Sequence, residues 1–239
     1  GTVKSTSKDT GAGQFTINGY GTNASHSVIS LNGERRYYGF TLDKVTDLII
    51  NNVTIQGGSE VLYVYQSEGK ATAALNNVVL TNNVSAIRNT KGSVSLTNVV
   101  INAGTAEAPN SVVNDDRMSI TDTRILSSVT NSKTFTGTTT ENGSNEITLM
   151  SNTGSIELSG TNTITTLNST TADSSVTLTS GVFNSTTFLN EGTVSLTGTS
   201  TIGELTTSKT FESDGTLAVT SMAISRSEER FSRNAETDL

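Results

Sequence analysis

The sequence contains no cysteine and no tryptophan, one histidine and one proline, and only 15% of its residues are charged. Without cysteine there can be no disulfide framework and no thiolate metal site. With His26 alone, a metal site of several histidines is excluded, and Ser–His–Asp chemistry could use only that residue. No apolar run approaches the roughly 20 residues that a transmembrane helix needs.

The charge is modest and acidic, with a net charge of −7 and a pI of about 4.7. This balance argues against nucleic acid as a partner, because nucleic acid binding requires clustered Lys and Arg. The chain starts at Gly1 inside polar sequence, without an initiator Met or an export signal, so we expect it to be a segment of a longer protein.

What the sequence does contain is an internal repeat. Two apolar residues at i and i+2 precede a small polar pair and a further apolar residue, as in DLIINNVTI, SVSLTNVVI and SVTLTSGVF. The second apolar residue of each copy serves as an anchor, and the anchors are Ile50, Leu75, Leu96, Ile120, Leu158, Leu178, Leu196 and Val219. The step of 38 between Ile120 and Leu158 predicts an additional, degenerate turn in the segment TFTGTTTENG.

A weaker signal precedes each anchor, in which an apolar residue leads into Asn, Ser or Gly, as in AIRNTKG, VVNDDR, FLNEGT and TFESDG. Each unit therefore holds two or three short strands. Alternation places residues i and i+2 on one face, which a unit of some 20 residues cannot bury alone. Stacked units bury it, so the pattern predicts an all-β solenoid of roughly 8–9 coils of about 18–25 residues.

Asparagine recurs at one phase of the repeat, at Asn52, Asn77 and Asn98, and Asp122 follows at the same phase. Asn and Asp tolerate the left-handed backbone conformation and hydrogen-bond to their own backbone. We therefore predict that these four residues form a corner of the solenoid, where stacked amides make a ladder.

The motifs LTNVVI, LNNVVL, IINNVTI and SGTNTI, in coils opened by AIRNTKG or FLNEGT, resemble the passenger domains of bacterial autotransporters and related surface adhesins. The resemblance covers roughly residues 15–225 and implies a single-stranded, right-handed parallel β-helix displayed on or shed from a bacterial cell surface. Membrane attachment would come only through a C-terminal region that this sequence does not include. The implied partner is a host or neighbouring-cell surface protein or glycan, and no cofactor is implied.

We expect two parts in the chain: a β-helix over 1–225, with 1–46 as its N-terminal coil or cap, and a tail over 226–239. The tail, RSEERFSRNAETDL, resembles the in-frame translation of a widely used sequencing adapter. It is therefore expected to be non-native, in a gene of metagenomic origin, and function is not inferred from it.

The strongest carboxylate group is Asp115–Asp116, followed by Arg117. These residues would serve a β-helix lyase or hydrolase of acidic polysaccharides, which needs two carboxylates at a set separation. Adjacent strand residues point to opposite faces, however, so a turn is the expected role. No metal site is predicted, because a calcium site requires more oxygen ligands.

All five tyrosines lie within the first 65 residues. If Leu62 and Val64 face the core, Tyr63 and Tyr65 face outward. Tyr and Arg are favoured in recognition patches, and the alternative is an aromatic cap at the start of the solenoid. The predicted binding residues are Arg35, Arg36, Tyr37, Tyr38, Tyr63 and Tyr65.

Three functions follow as hypotheses: a non-catalytic surface adhesin, a polysaccharide lyase or hydrolase, and a purely structural stalk. An ice-binding surface would require a flat Thr array on every coil, and Thr alone is irregular along the sequence.

Overall fold

A computed structural model describes residues 13–31, 38–42, 46–65 and 71–224. Of the predicted binding residues, Arg35, Arg36, Tyr37 and the side chain of Tyr38 lie outside the described residues, as does the tail 226–239.

The described residues form 18 strands and one short 3-10 turn at Ala24–His26. The strands are β1 (Gly13–Asn18), β2 (Val28–Ser30), β3 (Tyr38–Leu42), β4 (Thr46–Gln56), β5 (Glu60–Val64), β6 (Thr72–Thr81), β7 (Ser85–Asn89), β8 (Ser93–Thr97), β9 (Val100–Ile101), β10 (Ser111–Asn114), β11 (Arg117–Thr121), β12 (Arg124–Asn131), β13 (Thr134–Thr138), β14 (Asn145–Asn152), β15 (Ser155–Ser169), β16 (Ser175–Asn190), β17 (Thr193–Thr207) and β18 (Phe211–Ile224).

Every pairing between described strands is parallel and joins one turn of the chain to the next. Each turn contributes one segment to each of three strand stacks. The first stack runs from β1 through β8 and β13 to the start of β18, the second from β2 through β9, and the third from β3 through β10. Eight consecutive turns are described without a gap between residues 71 and 224, so the predicted parallel β-solenoid is confirmed.

The predicted anchors form one column of the first stack. Ile50, Leu75, Leu96 and Ile120 pair in succession, and each is at most 1% exposed. The degenerate turn is confirmed as β13, where Gly137 pairs with both Ile120 and Leu158. Because Gly137 has no side chain, the column lacks the apolar residue that the sequence pattern relied on, and the turn was visible only as a long step.

The last predicted anchor, Val219, is wrong. The partner of Leu196 in β18 is Ser213, whereas Val219 pairs with Ile202 in the second stack. The TLAVTSMAI segment imitates the repeat in composition, but it occupies a later phase of the turn. The same shift places TFESDG in the first stack, where Phe211 pairs with Val194.

The predicted asparagine corner is confirmed. Asn52, Asn77, Asn98 and Asp122 all have positive φ angles, of 57°, 53°, 52° and 48°. The Asn77 side-chain amide donates to Asn52 Oδ1 at 2.8 Å, and the Asn98 amide donates to Asn77 Oδ1 at 3.3 Å. Glycine takes over at later turns, where a Cβ on Gly181 would lie 2.3 Å from the carbonyl oxygen of Gly160.

A second amide ladder, buried inside the solenoid, stands where each turn passes from the third stack to the first. Asn89, Asn114, Asn131 and Asn152 are each 0% exposed, and each Nδ2 but the last donates to the next Oδ1, at 2.9, 2.7 and 2.8 Å. Each Nδ2 also donates to two backbone carbonyls of the adjoining corner, as Asn131 does to Lys133 and Ser155. The ladder steps of 25, 17 and 21 residues show how the core stays in register while the turn length varies.

The buried ladder has a defined start. Val64 occupies its position in the turn before Asn89, so Asn89 Oδ1 is buried without a hydrogen-bond partner among the described residues. Ser169 and Thr207 substitute for asparagine in later turns, on either side of Asn190. The buried amides were not predicted as such, although they follow the apolar-to-Asn signal that the sequence shows.

Candidate functional site

The strand β5 alternates as the sequence predicts. Leu62 and Val64 are fully buried, Tyr63 is half-buried and Tyr65 is 46% exposed, so the two tyrosines face outward. Their ring centroids lie 5.7 Å apart with the planes tilted by 32°. Neither ring therefore belongs to the solenoid core.

Arg88 completes this surface from the next turn. It pairs in register with Tyr63, and its guanidinium carbon lies 5.5 Å from the Tyr63 ring centroid, within cation–π distance. We name Tyr63, Tyr65 and Arg88 the tyrosine cluster. The position of Arg88 could have been inferred from the sequence, because the step of 25 residues between anchors Ile50 and Leu75 also separates Tyr63 from Arg88.

Glu60 lies at the start of β5 and is only 7% exposed. Burial raises the pKa of the Glu60 carboxyl above its ordinary value of 4.5, and the charge of Arg88 opposes that rise without cancelling it. Sequence reasoning did not single out Glu60, because a glutamate at the edge of a strand is ordinarily solvated.

We predict that the Glu60→Gln variant is more stable than the parent at pH 7. The folded parent must hold an ionised carboxylate in a buried position, and this cost disappears once the group is protonated. Because the folded-state pKa is the higher one, the advantage of the variant should shrink as the pH falls through that pKa, and it should vanish below about pH 4.5. Thermal unfolding of both proteins between pH 3 and 8 measures it, and a parent that is the more stable protein at pH 7 would contradict the assignment.

Asp115 and Asp116 lie at the buried-ladder corner, in the bend between β10 and β11. Asp115 Oδ1 accepts a hydrogen bond from the Ser132 hydroxyl at 2.6 Å, and Asp116 Oδ2 accepts one from the backbone N–H of Gly92 at 2.7 Å. The Arg117 Nε atom lies 3.9 Å from Asp116 Oδ1. These contacts join adjacent turns, as expected for turn residues.

The first stack presents a regular outer surface between β8 and β17. Six successive turns place three outward residues each on it, and all but Arg117 and Glu157 are Ser or Thr. We name these residues the hydroxyl face: Ser93, Ser95, Thr97, Ser119, Thr121, Thr134, Thr136, Thr138, Ser155, Ser159, Ser175, Thr177, Thr179, Thr193, Ser195 and Thr197. Thr alone is irregular, but Ser and Thr together alternate strictly with core residues, which corrects the sequence-based expectation.

Within the described ranges, no group of three or more His, Cys, Asp or Glu side chains is placed to hold a metal ion. The part of the chain that the structure describes also has no helix with the length and apolarity needed to cross a membrane.

Fold and surface together define the chain as a β-solenoid protein with a sparse set of exposed aromatic and charged residues. Comparison of the chain with models of protein families, with curated proteins and with solved structures gives no match in any of the three.

Proposed function

We propose that the chain is a non-catalytic adhesin segment, displayed on or released from a bacterial cell surface, whose solenoid holds a binding surface in a fixed position. The tyrosine cluster is the observation that carries this proposal. It combines an exposed aromatic ring, a second outward ring and a guanidinium on two adjacent strands. Aromatic and Arg side chains contribute most of the free energy in many protein interfaces, and rigid strands hold them without an ordering cost.

The partner proposed for this cluster is a protein or glycan on a host or neighbouring cell. Aromatic rings provide flat apolar surfaces, and the Arg88 side chain is exposed for hydrogen bonding. Arg35, Arg36, Tyr37 and Tyr38 precede β5 by one turn in sequence, and they are proposed as further contributors to the same surface.

A binding screen against immobilised glycans and whole bacterial and host cells tests the proposal. The double variant Tyr65→Ala/Arg88→Ala is expected to bind at least tenfold more weakly than the parent, since hot-spot residues typically contribute 2 kcal/mol or more. Tyr20→Ala is the matched control, because Tyr20 is 84% exposed and is not part of the tyrosine cluster. Unchanged binding by the double variant, or no binding by the parent to any target, would leave the stalk interpretation in place of the adhesin.

The lyase hypothesis rests on Asp115, Asp116 and Arg117. Both aspartates already accept hydrogen bonds from neighbouring turns, so neither carboxylate is held free for proton transfer. Incubation of the chain with uronate polymers, alongside an Asp115→Asn/Asp116→Asn variant, decides the matter. Cleavage by the parent and not by the variant would favour the lyase over the adhesin.

The hydroxyl face favours a second candidate function, which is binding to ice. Its side chains repeat at the strand spacing of about 4.8 Å in one direction and at about 6.7 Å along each strand. Such a flat, repeating array of hydroxyl groups matches the regular water positions of a crystal surface better than an ordinary protein surface does. Inhibition of ice recrystallisation by the parent, lost in Thr136→Lys and retained in Thr201→Lys on the second stack, is the expected result.

A further inference from the structure

The two ends of the solenoid expose residues that are buried everywhere between them. In the third stack, Leu205 and Thr207 of β17 are 1% and 3% exposed, whereas their partners Met222 and Ile224 in β18 are 51% and 61% exposed. Among the described strands, β18 pairs only with β17, so its other edge carries backbone donors and acceptors with no strand partner.

The first turn shows the same feature at the opposite end. Phe15 in β1 belongs to the core column of Leu48, which is 2% exposed, yet Phe15 is 40% exposed. Among the described strands, β1 pairs only with β4. Both ends thus combine an open strand edge with core-column side chains in contact with solvent.

The columns at the two ends are the same columns. Following the register from turn to turn, Phe15 continues to Phe211 in the first stack, and Ile29 continues to Val219 in the second. In the third stack, Leu42 continues to Ile224. All strands in a stack also run in one direction. The outer edge of β18 can therefore pair with the outer edge of a β1 from another molecule as if the solenoid simply went on.

We propose that the last turn binds the first turn of a second copy of this chain. The contact would place Phe15 of one copy over Phe211 of the other, Ile29 over Val219 and Leu42 over Ile224, and it would complete parallel ladders in all three stacks. This is pairing of open sheet edges, in which backbone hydrogen bonds contribute affinity and side-chain columns fix the register.

The length and composition of residues 225–239 favour a second copy over the chain's own continuation as the occupant. The shortest turns in the solenoid take 17 residues, as between Asn114 and Asn131. Residues 225–239 are fewer than that and include only Phe231, Ala235 and Leu239 as apolar residues. They are too few and too polar to supply the core residues of another turn.

A contact between different ends is heterologous, so it does not close on itself and leads to linear assemblies. Each added copy presents a fresh last turn to the next. The expected product is a series of dimers, trimers and longer rods that share one solenoid axis, in amounts that rise with protein concentration.

Light scattering coupled to size-exclusion chromatography tests the proposal on the full chain over a hundredfold range of concentration. The parent is expected to increase in mass with concentration. Phe15→Lys and Ile224→Lys each block one end with a charge, so each variant alone is expected to remain monomeric, with an association at least tenfold weaker. Thr201→Lys, an exposed outward position on β17, is the control and should assemble like the parent.

Mixing the two blocked variants separates end-to-end contact from general stickiness. Phe15→Lys retains an open last turn and Ile224→Lys retains an open first turn, so their equimolar mixture is expected to form dimers and nothing larger. A parent that stays monomeric throughout, a blocked variant that still assembles, or a mixture that stays monomeric would each overturn the proposal. Circular dichroism confirms that both variants remain folded.

Discussion

Replacing Phe188 with alanine is expected to lower the free energy of unfolding by about 3–5 kcal/mol. Phe188 is fully buried in β16, between Leu167 in the turn before and Leu205 in the turn after. Its ring meets those of Phe183 and Phe211 edge to face, at centroid distances of 6.0 and 6.4 Å. The solenoid core is only one column wide at this point, so neighbouring turns cannot collapse into the cavity without losing their own register.

Leu189→Ala provides the matched control. Leu189 is the next residue along β16, it is half-buried, and its partners in adjacent turns are Asn168 and Thr206. Because it faces outward, its truncation is expected to cost about 1 kcal/mol or less. Urea unfolding of both variants measures the difference, and equal losses of stability would contradict the assignment of inward and outward faces.

The Asn131→Ala variant is expected to lose roughly 3–5 kcal/mol of unfolding free energy, although the side chain is polar. Asn131 is fully buried and receives a hydrogen bond from the Asn114 amide. Its own amide donates to Asn152 Oδ1 and to the carbonyls of Lys133 and Ser155. Alanine leaves several buried groups without partners, and each such group costs about 1–3 kcal/mol.

Asn168→Ala is the control for the asparagine ladder, since Asn168 is half-buried and faces outward from β15. Its replacement should change stability by no more than about 0.5 kcal/mol. Chemical denaturation followed by far-UV circular dichroism compares the two variants. An Asn131→Ala protein as stable as the control would show that the ladder is a consequence of stacking and does not stabilise it.

The sequence predicts the fold well because the solenoid repeats a local rule. Ile50, Leu75, Leu96 and Ile120 could be aligned by alternation alone, since the strand period of two decides which residues face inward. The αL corner at Asn52, Asn77 and Asn98 followed in the same way, because few residues other than Asn and Gly tolerate that conformation.

Features that depend on the register between turns were harder to predict. Turn lengths vary from 17 to 25 residues, so composition alone could not place Val219 or show that Gly137 fills an anchor position. The tyrosine cluster was half predicted: Tyr63 and Tyr65 were found by alternation, but Arg88 is 25 residues away and joins them only through the stacking of β5 on β7. Asn131 and its equivalents suggested a turn, because asparagine is seldom buried unless its amide is fully hydrogen-bonded.

The parallel register between turns is the claim on which the rest depends, and paired cysteines test it most directly because the chain has none of its own. Thr136→Cys with Glu157→Cys places thiols on partner residues of β13 and β15, about 4.8 Å apart along the stack. Thr136→Cys with Thr177→Cys places them two turns apart, at about 9.6 Å. A short fluorogenic dithiol cross-linker should bridge the first pair and leave the second open, whereas efficient bridging of the second pair alone, or of neither, would contradict the solenoid.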